Sequence, residues 1–198
     1  MKRLLLSLLA LLPAPGLAAD SAPATVAACI ECHGVTGAAA RPGVPHIDGQ
    51  HGQYMLDSMR AFGNETRKSS TDLHKRLSRD ALNAAIAHYA EQKTTRQRSA
   101  SDPALVARGE TLYNNRCADC HMDNGRQSDK DAPILAGQDV NYLSQQLIAF
   151  RKGDRRFPTM MDDSYRGLGE ADLSALAHFF AAQDPAPPPS QRNSRRKR

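Results

Sequence analysis

Two five-residue stretches, Cys29-Ile30-Glu31-Cys32-His33 and Cys117-Ala118-Asp119-Cys120-His121, hold every cysteine of this 198-residue chain. Two thiols three residues apart lie along one helical turn, and in each stretch an imidazole follows at once. A zinc site built from two C-x-x-C pairs leaves the repeated histidine unexplained and must bridge the 84 residues between Cys32 and Cys117. Thioredoxin-like redox pairs belong at the end of a strand in a βαβ context, which neither stretch has. Structural disulfides also leave both histidines as coincidence. C-x-x-C-H is the attachment sequence for c-type haem: the thiols add across the two vinyl groups of one porphyrin, and the histidine takes the proximal position on iron. Two covalently bound haem c groups are expected, held by Cys29 and Cys32 with His33, and by Cys117 and Cys120 with His121.

The chain repeats itself around these motifs. Cys29 and Cys117 are 88 residues apart, and so are Gly49-Gln50 and Gly137-Gln138, Tyr54 and Tyr142, and Phe62 and Phe150. Anchors sharing one offset indicate a duplicated domain. Leu77 and Leu168, Asp80 and Asp172, and Ala87-His88-Tyr89 and Ala177-His178-Phe179 follow at offsets of 90 to 92, so the second copy has gained residues before its last helix.

Apolar residues recur at helical spacing in both copies: Tyr54, Met55, Met59 and Phe62, then Leu82, Ile86 and Tyr89 in the first, with Tyr142, Leu143, Leu147 and Phe150, then Leu173, Leu176, Ala177 and Phe180 in the second. Residues 104–115 form another helix before the second motif. Strand alternation is absent, so the fold class is all-α. With no Trp and only 5% aromatic residues, a large side-chain core is not expected, and a bound cofactor suits the interior. Residues 93–102 are polar and read as a linker, with Pro103 placed to open the next helix.

Lys2 and Arg3, the apolar run Leu4 to Leu12, and small residues Gly16, Ala18 and Ala19 have the layout of a cleaved secretory signal over residues 1–19, which places the mature protein in the periplasm. The run is far short of the ~20 apolar residues that span a bilayer. Of the formal net charge of +5, Lys2 and Arg3 belong to the leader and five basic residues to the tail, so residues 20–184 sum to −2. The calculated pI therefore gives no ground for a nucleic-acid partner, which needs clustered basic residues on a folded face. Residues 185–198, rich in Pro and Arg, read as a disordered basic tail, with an anionic membrane surface as its alternative contact.

The two C-x-x-C-H domains, the Gly-Gln and Tyr-Leu helices, and the final Ala-His-Phe-Phe helix resemble the cytochrome c4 family over nearly the whole mature chain. The segment Cys117 to Gln138, with Pro133-Ile134-Leu135-Ala136-Gly137-Gln138, is also similar to the two-haem subunit of flavocytochrome c sulfide dehydrogenase. The resemblance implies two tandem cytochrome c domains, 20–92 and 103–184, with haems near one another and electron transfer as the task. It also places a distal Met ligand about seven residues before Leu168, the register of Met161. Met160 is the alternative, and loop packing of both is the third reading.

The first copy departs from that pattern. The same count from Leu77 lands on Ser70, and residues 63–76 contain no Met. His74 lies in that segment and is the candidate distal ligand. Met55 and Met59 read as core, His46 and His51 flank the Gly-Gln anchor, and His88 and His178 read as structural. The favoured function is an electron carrier between redox proteins, such as a flavoprotein or a terminal oxidase, with no catalytic residues. The alternatives are a haem enzyme or small-ligand sensor using an open first iron, and the electron-transfer subunit of a flavocytochrome.

Overall fold

The computed structural model describes residues 24–158 and 160–185, so the leader over 1–19 and the tail beyond Pro185 lie outside the described residues. Among the described residues, nine α-helices follow a short 3-10 turn at Ala24–Val26: α1 Ala27–His33, α2 Gly52–Gly63, α3 Leu73–Arg76, α4 Arg79–Ala90, α5 Pro103–Arg116, α6 Met122–Gly125, α7 Val140–Lys152, α8 Met161–Tyr165 and α9 Glu170–Ala181. No strand is present among the described residues beyond one isolated antiparallel bridge, Arg67 to Arg155.

Local chemistry sets the helix starts. Asp102, Ser78 and Asp139 each accept a hydrogen bond from a first-turn N–H, at Ala104, Ala81 and Tyr142, and Pro103 opens α5 where its missing N–H costs nothing. Gly153 ends α7 in the left-handed conformation at φ 77°. The helices bury the faces their periodicity marked: Met55 and Phe62 on α2, Leu143, Leu147 and Phe150 on α7, and Leu173, Leu176, Ala177 and Phe180 on α9.

The second domain has the larger core. Helices α5 and α9 cross closely enough that a Cβ on Gly109 would lie 2.6 Å from Phe179 Cβ and closer still to the Ala175 carbonyl, and Tyr113 stacks on Phe179 at 4.8 Å. Its counterpart is a small cluster of Val26, Met55, Ala85 and Tyr89.

The halves meet across an interface that repeats the duplication as an approximate twofold. Gln50 makes two hydrogen bonds to the Ile134 backbone, and Gln138 makes two to the His46 backbone. Lys68 N–H donates to Asp154 O and Arg156 N–H to Thr66 O. The segment read as a linker is packed: Arg96 is 3% exposed and forms a buried ion pair with Asp48 at 3.0 Å. Pro185, read as the start of the tail, is buried against Gly137.

Candidate functional site

A continuous cavity of about 1070 Å³ runs through the interface and is lined by Cys29, Cys32 and His33 from one half and Cys117, Cys120 and His121 from the other. A single drug-sized ligand typically fills about 300–1,000 Å³, so this space suits more than one small group. None of the four cysteines is paired in a disulfide. Burial pushes the Cys117 thiol up to about 11 and raises Cys29 as well.

The two motif histidines are buried, which lowers the pKa of each and keeps the imidazole neutral. His33 Nδ1 sits 3.0 Å from the Pro45 carbonyl, which can only accept, so His33 carries its proton on Nδ1 and leaves the Nε2 lone pair free. His121 Nδ1 is buried without a hydrogen-bond partner. No group of three or more His, Cys, Asp or Glu among the described residues could hold a metal ion by itself. An iron whose equatorial donors come from a porphyrin needs only axial ligands from the chain, which single imidazoles can supply.

Opposite His33 stands His74 on α3, with ring centres 6.2 Å apart. Phe62 stacks on the far side of His74 at 4.7 Å. Burial, with the neighbouring His33 and Arg67, brings His74 down to about 4. In the second half both Met160 and Met161 line the cavity; Met161, the first residue of α8, is half-buried, whereas Met160 is 77% exposed. Met55 lies in the first core, and Met59 lines the cavity from α2. Their counterparts at an offset of 88 are the core leucines Leu143 and Leu147.

Three of the other histidines have structural work: His88 bonds the Val35 carbonyl, His178 accepts from Asp102 N–H, and His51 caps α2. His46 is held at its backbone by Gln138 and lines the cavity with Nδ1 buried and without a partner.

Sequence reasoning missed two interface arginines. Arg67 Nη2 donates to the Tyr142 hydroxyl at 2.6 Å and lies over the Phe62 ring, and Arg155 Nη2 donates to the Tyr54 hydroxyl at 3.3 Å over Phe150. Both line the cavity and bond to phenols and amide oxygens rather than carboxylates, and Arg67 Nε is buried unpaired. Burial alone would raise the Tyr54 phenol, but Arg155 and Arg67 hold it below its usual range. Two desolvated cations facing a cavity favour a group that brings carboxylates, and the propionates of haem are such groups. The signal was available, since Arg67 and Arg155 are themselves 88 residues apart.

The sequence profile of the cytochrome c family matches residues 21–100 and again residues 106–183. Cytochrome c4 of Pseudomonas aeruginosa is 34% identical over 91% of this chain and 98% of its own length. The chain belongs to the cytochrome c family, in its cytochrome c4 group. The reduced cytochrome c4 of Pseudomonas stutzeri superposes with a TM-score of 0.71 at 29% identity, covering 84% of this chain and all of that one. A protein of Thiomonas intermedia described as a thiosulfate dehydrogenase electron acceptor is 28% identical over 84% of this chain and 83% of its own. This cytochrome is thus an all-α, dihaem electron carrier with two covalently bound haem c groups, one per domain.

Proposed function

We propose that this cytochrome carries electrons in the periplasm between a donor dehydrogenase and an acceptor redox protein, entering at one domain and leaving at the other. The cavity that reaches both C-x-x-C-H motifs across one interface supports this reading, because it lets two haems lie close without exposing the path between them. Cys29 and Cys32 would anchor the first haem and Cys117 and Cys120 the second. His33 and His121 would be the proximal ligands, and Met161 the distal ligand of the second iron. Each haem supplies a one-electron couple. The protein holds the ligands, excludes water and sets the two couples apart.

Thioether ligation by Met161 favours the reduced iron and raises its potential. Arg67 and Arg155 neutralise haem carboxylates at the interface, which lowers the cost of burying them there. No described helix is long and apolar enough to cross a membrane, in keeping with a mature protein free to meet partners. The name of the Thiomonas intermedia relative supports a periplasmic sulfur-compound dehydrogenase as the class of donor.

The test is a potentiometric titration of the purified holoprotein with haem quantified per chain, followed by stopped-flow reduction and reoxidation. Two haems per chain, two one-electron steps and full reoxidation by a second cytochrome are expected. One haem per chain, or a reduced form that an acceptor protein cannot reoxidise, would overturn the reading.

A further inference from the structure

We infer that the first domain holds its iron between two histidines, His33 and His74, and that the Ser69 hydroxyl is the positioning residue that fixes His74 for this role. The inference rests on the reading that His33 is a proximal haem ligand, and it gives the two domains different iron chemistry.

Distance is the first support. Two metal–nitrogen bonds of about 2 Å, with about 1 Å from each nitrogen to its ring centre, put two imidazoles on opposite sides of one metal about 6 Å apart. His33 and His74 have ring centres 6.2 Å apart, with their planes inclined by 33°.

The second support is the tautomer. Ser69 Oγ donates its proton to the Thr71 carbonyl at 2.8 Å and accepts from the Thr71 N–H at 3.2 Å. With the Ser69 proton on the Thr71 carbonyl, the remaining Oγ lone pair meets His74 Nδ1 at 2.8 Å, which places the imidazole proton on Nδ1. The His74 Nε2 lone pair is then free. Pro45 fixes His33 in the same way. Each imidazole thus spends Nδ1 on a hydrogen bond and keeps its Nε2 lone pair uncommitted. Phe62 closes the back of His74 and restrains its tilt.

The duplication removes the rival ligands. Met55 and Met59 occupy positions that hold Leu143 and Leu147 in the second domain, so those positions select apolar packing and not a thioether. The slot of His74 holds Tyr165 in the second copy, counted from the Leu77 and Leu168 anchors; Tyr165 meets Phe150 edge-on at 6.0 Å, where His74 stacks on Phe62 at 4.7 Å. Hence the same slot is filled by an imidazole where residues 63–76 lack Met, and by a phenol where Met161 is at hand. Bis-histidine iron has a lower potential than His/Met iron, so the first haem is the lower-potential site and electrons run from the first domain to the second.

The test uses the mature holoprotein and three variants, His74→Ala, Ser69→Ala and Ser69→Thr, read by electron paramagnetic resonance, CO binding and potentiometry. Native protein should show two low-spin irons and no CO binding at the first haem. His74→Ala should turn one iron high-spin and open it to CO while leaving the other unchanged. Should that variant fail to mature, His74→Met serves instead and should raise the lower of the two potentials only. Ser69→Ala should shift the first haem's g values and make its CO binding detectable, with Ser69→Thr keeping native behaviour.

A native first iron that is high-spin, or a His74 change that leaves both irons as they were, overturns the bis-histidine site without touching the carrier reading, which stands on haem count and reoxidation. A Ser69→Ala protein identical to the native one overturns the role of Ser69 alone.

Discussion

Gln50 and Gln138 occupy equivalent positions in the two halves, 88 residues apart, and each spends its side-chain amide on the backbone of the other half. Gln50 donates to the Ile134 carbonyl and accepts from the Ile134 N–H, both at 2.9 Å, while Gln138 accepts from His46 N–H at 2.7 Å and donates to its carbonyl at 2.9 Å. His46 and Ile134 are themselves equivalents at the same offset. The domains therefore recognise each other through peptide groups, whose geometry is indifferent to the change from histidine to isoleucine.

Removing either amide strands one buried N–H and one buried carbonyl on the partner half. We expect Gln50→Ala and Gln138→Ala each to cost about 1–3 kcal/mol, with values close to one another, read as a lowered urea midpoint of the holoprotein. A loss confined to one of the two would show that the interface does not use them as equivalents.

The duplication that defines this interface was legible from Gly49-Gln50, Tyr54 and Phe62 with their partners, because anchors at one offset survive divergence around them. Helices α2, α4, α7 and α9 were legible from periodicity, since their apolar residues recur at helical spacing and are buried. The short helices α3, α6 and α8 were not, for four or five residues carry no period. The packing of Arg96 was hidden for a different reason. A polar stretch between domains reads as solvated, and only the fold supplies the buried carboxylate of Asp48. His74 was a candidate on the absence of Met, but its tie to Ser69 needs three dimensions.

Gly109 and Gly63 give opposite expectations for the same substitution. A Cβ at Gly109 would run into the Ala175 carbonyl and Phe179 where α5 crosses α9, whereas at Gly63, on the exposed end of α2, it meets nothing within 4 Å. Gly109→Ala should therefore destabilise by up to about 3 kcal/mol through overpacking. Gly63→Ala should stabilise by about 0.5–1 kcal/mol, by reducing the freedom of the unfolded chain. Thermal unfolding of both variants beside the native holoprotein checks the pair.

Acid should weaken the start of α9. Asp172 accepts from the Gly169 N–H at 2.9 Å and from Arg108 at 2.6 Å, and these contacts hold its carboxyl below the usual range. A carboxyl whose folded pKa is depressed adds stability above its unfolded value of about 3.9, and that stability is lost as pH falls through the folded value. Asp172→Asn should cost about 1 kcal/mol at neutral pH, a gap that narrows below pH about 4. A gap that stays constant down to pH about 2 would mean the charge on Asp172 is irrelevant to the cap.

The ion pair of Asp48 and Arg96 is the most exacting case, because both side chains are fully buried. Asp48 Oδ2 also accepts from Thr95 N–H at 2.9 Å, and Arg96 donates to the Asp48 carbonyl at 2.8 Å, so the pair ties the segment between domains to the first one. Burial brings Arg96 down to about 10 against the pull of Asp48, a sign that desolvation opposes the pair. The second domain solves the equivalent position without charge, placing a fully buried Ala136 there. Arg96→Leu should thus cost about 3–5 kcal/mol by leaving Asp48 buried and unpaired, while Asp48→Ala combined with Arg96→Leu should recover most of that loss. A double-mutant cycle by urea unfolding measures the coupling directly. Strict additivity of the two changes would show that the pair contributes through packing alone, and a double variant weaker than either single would show that the connector needs its charges to find its place.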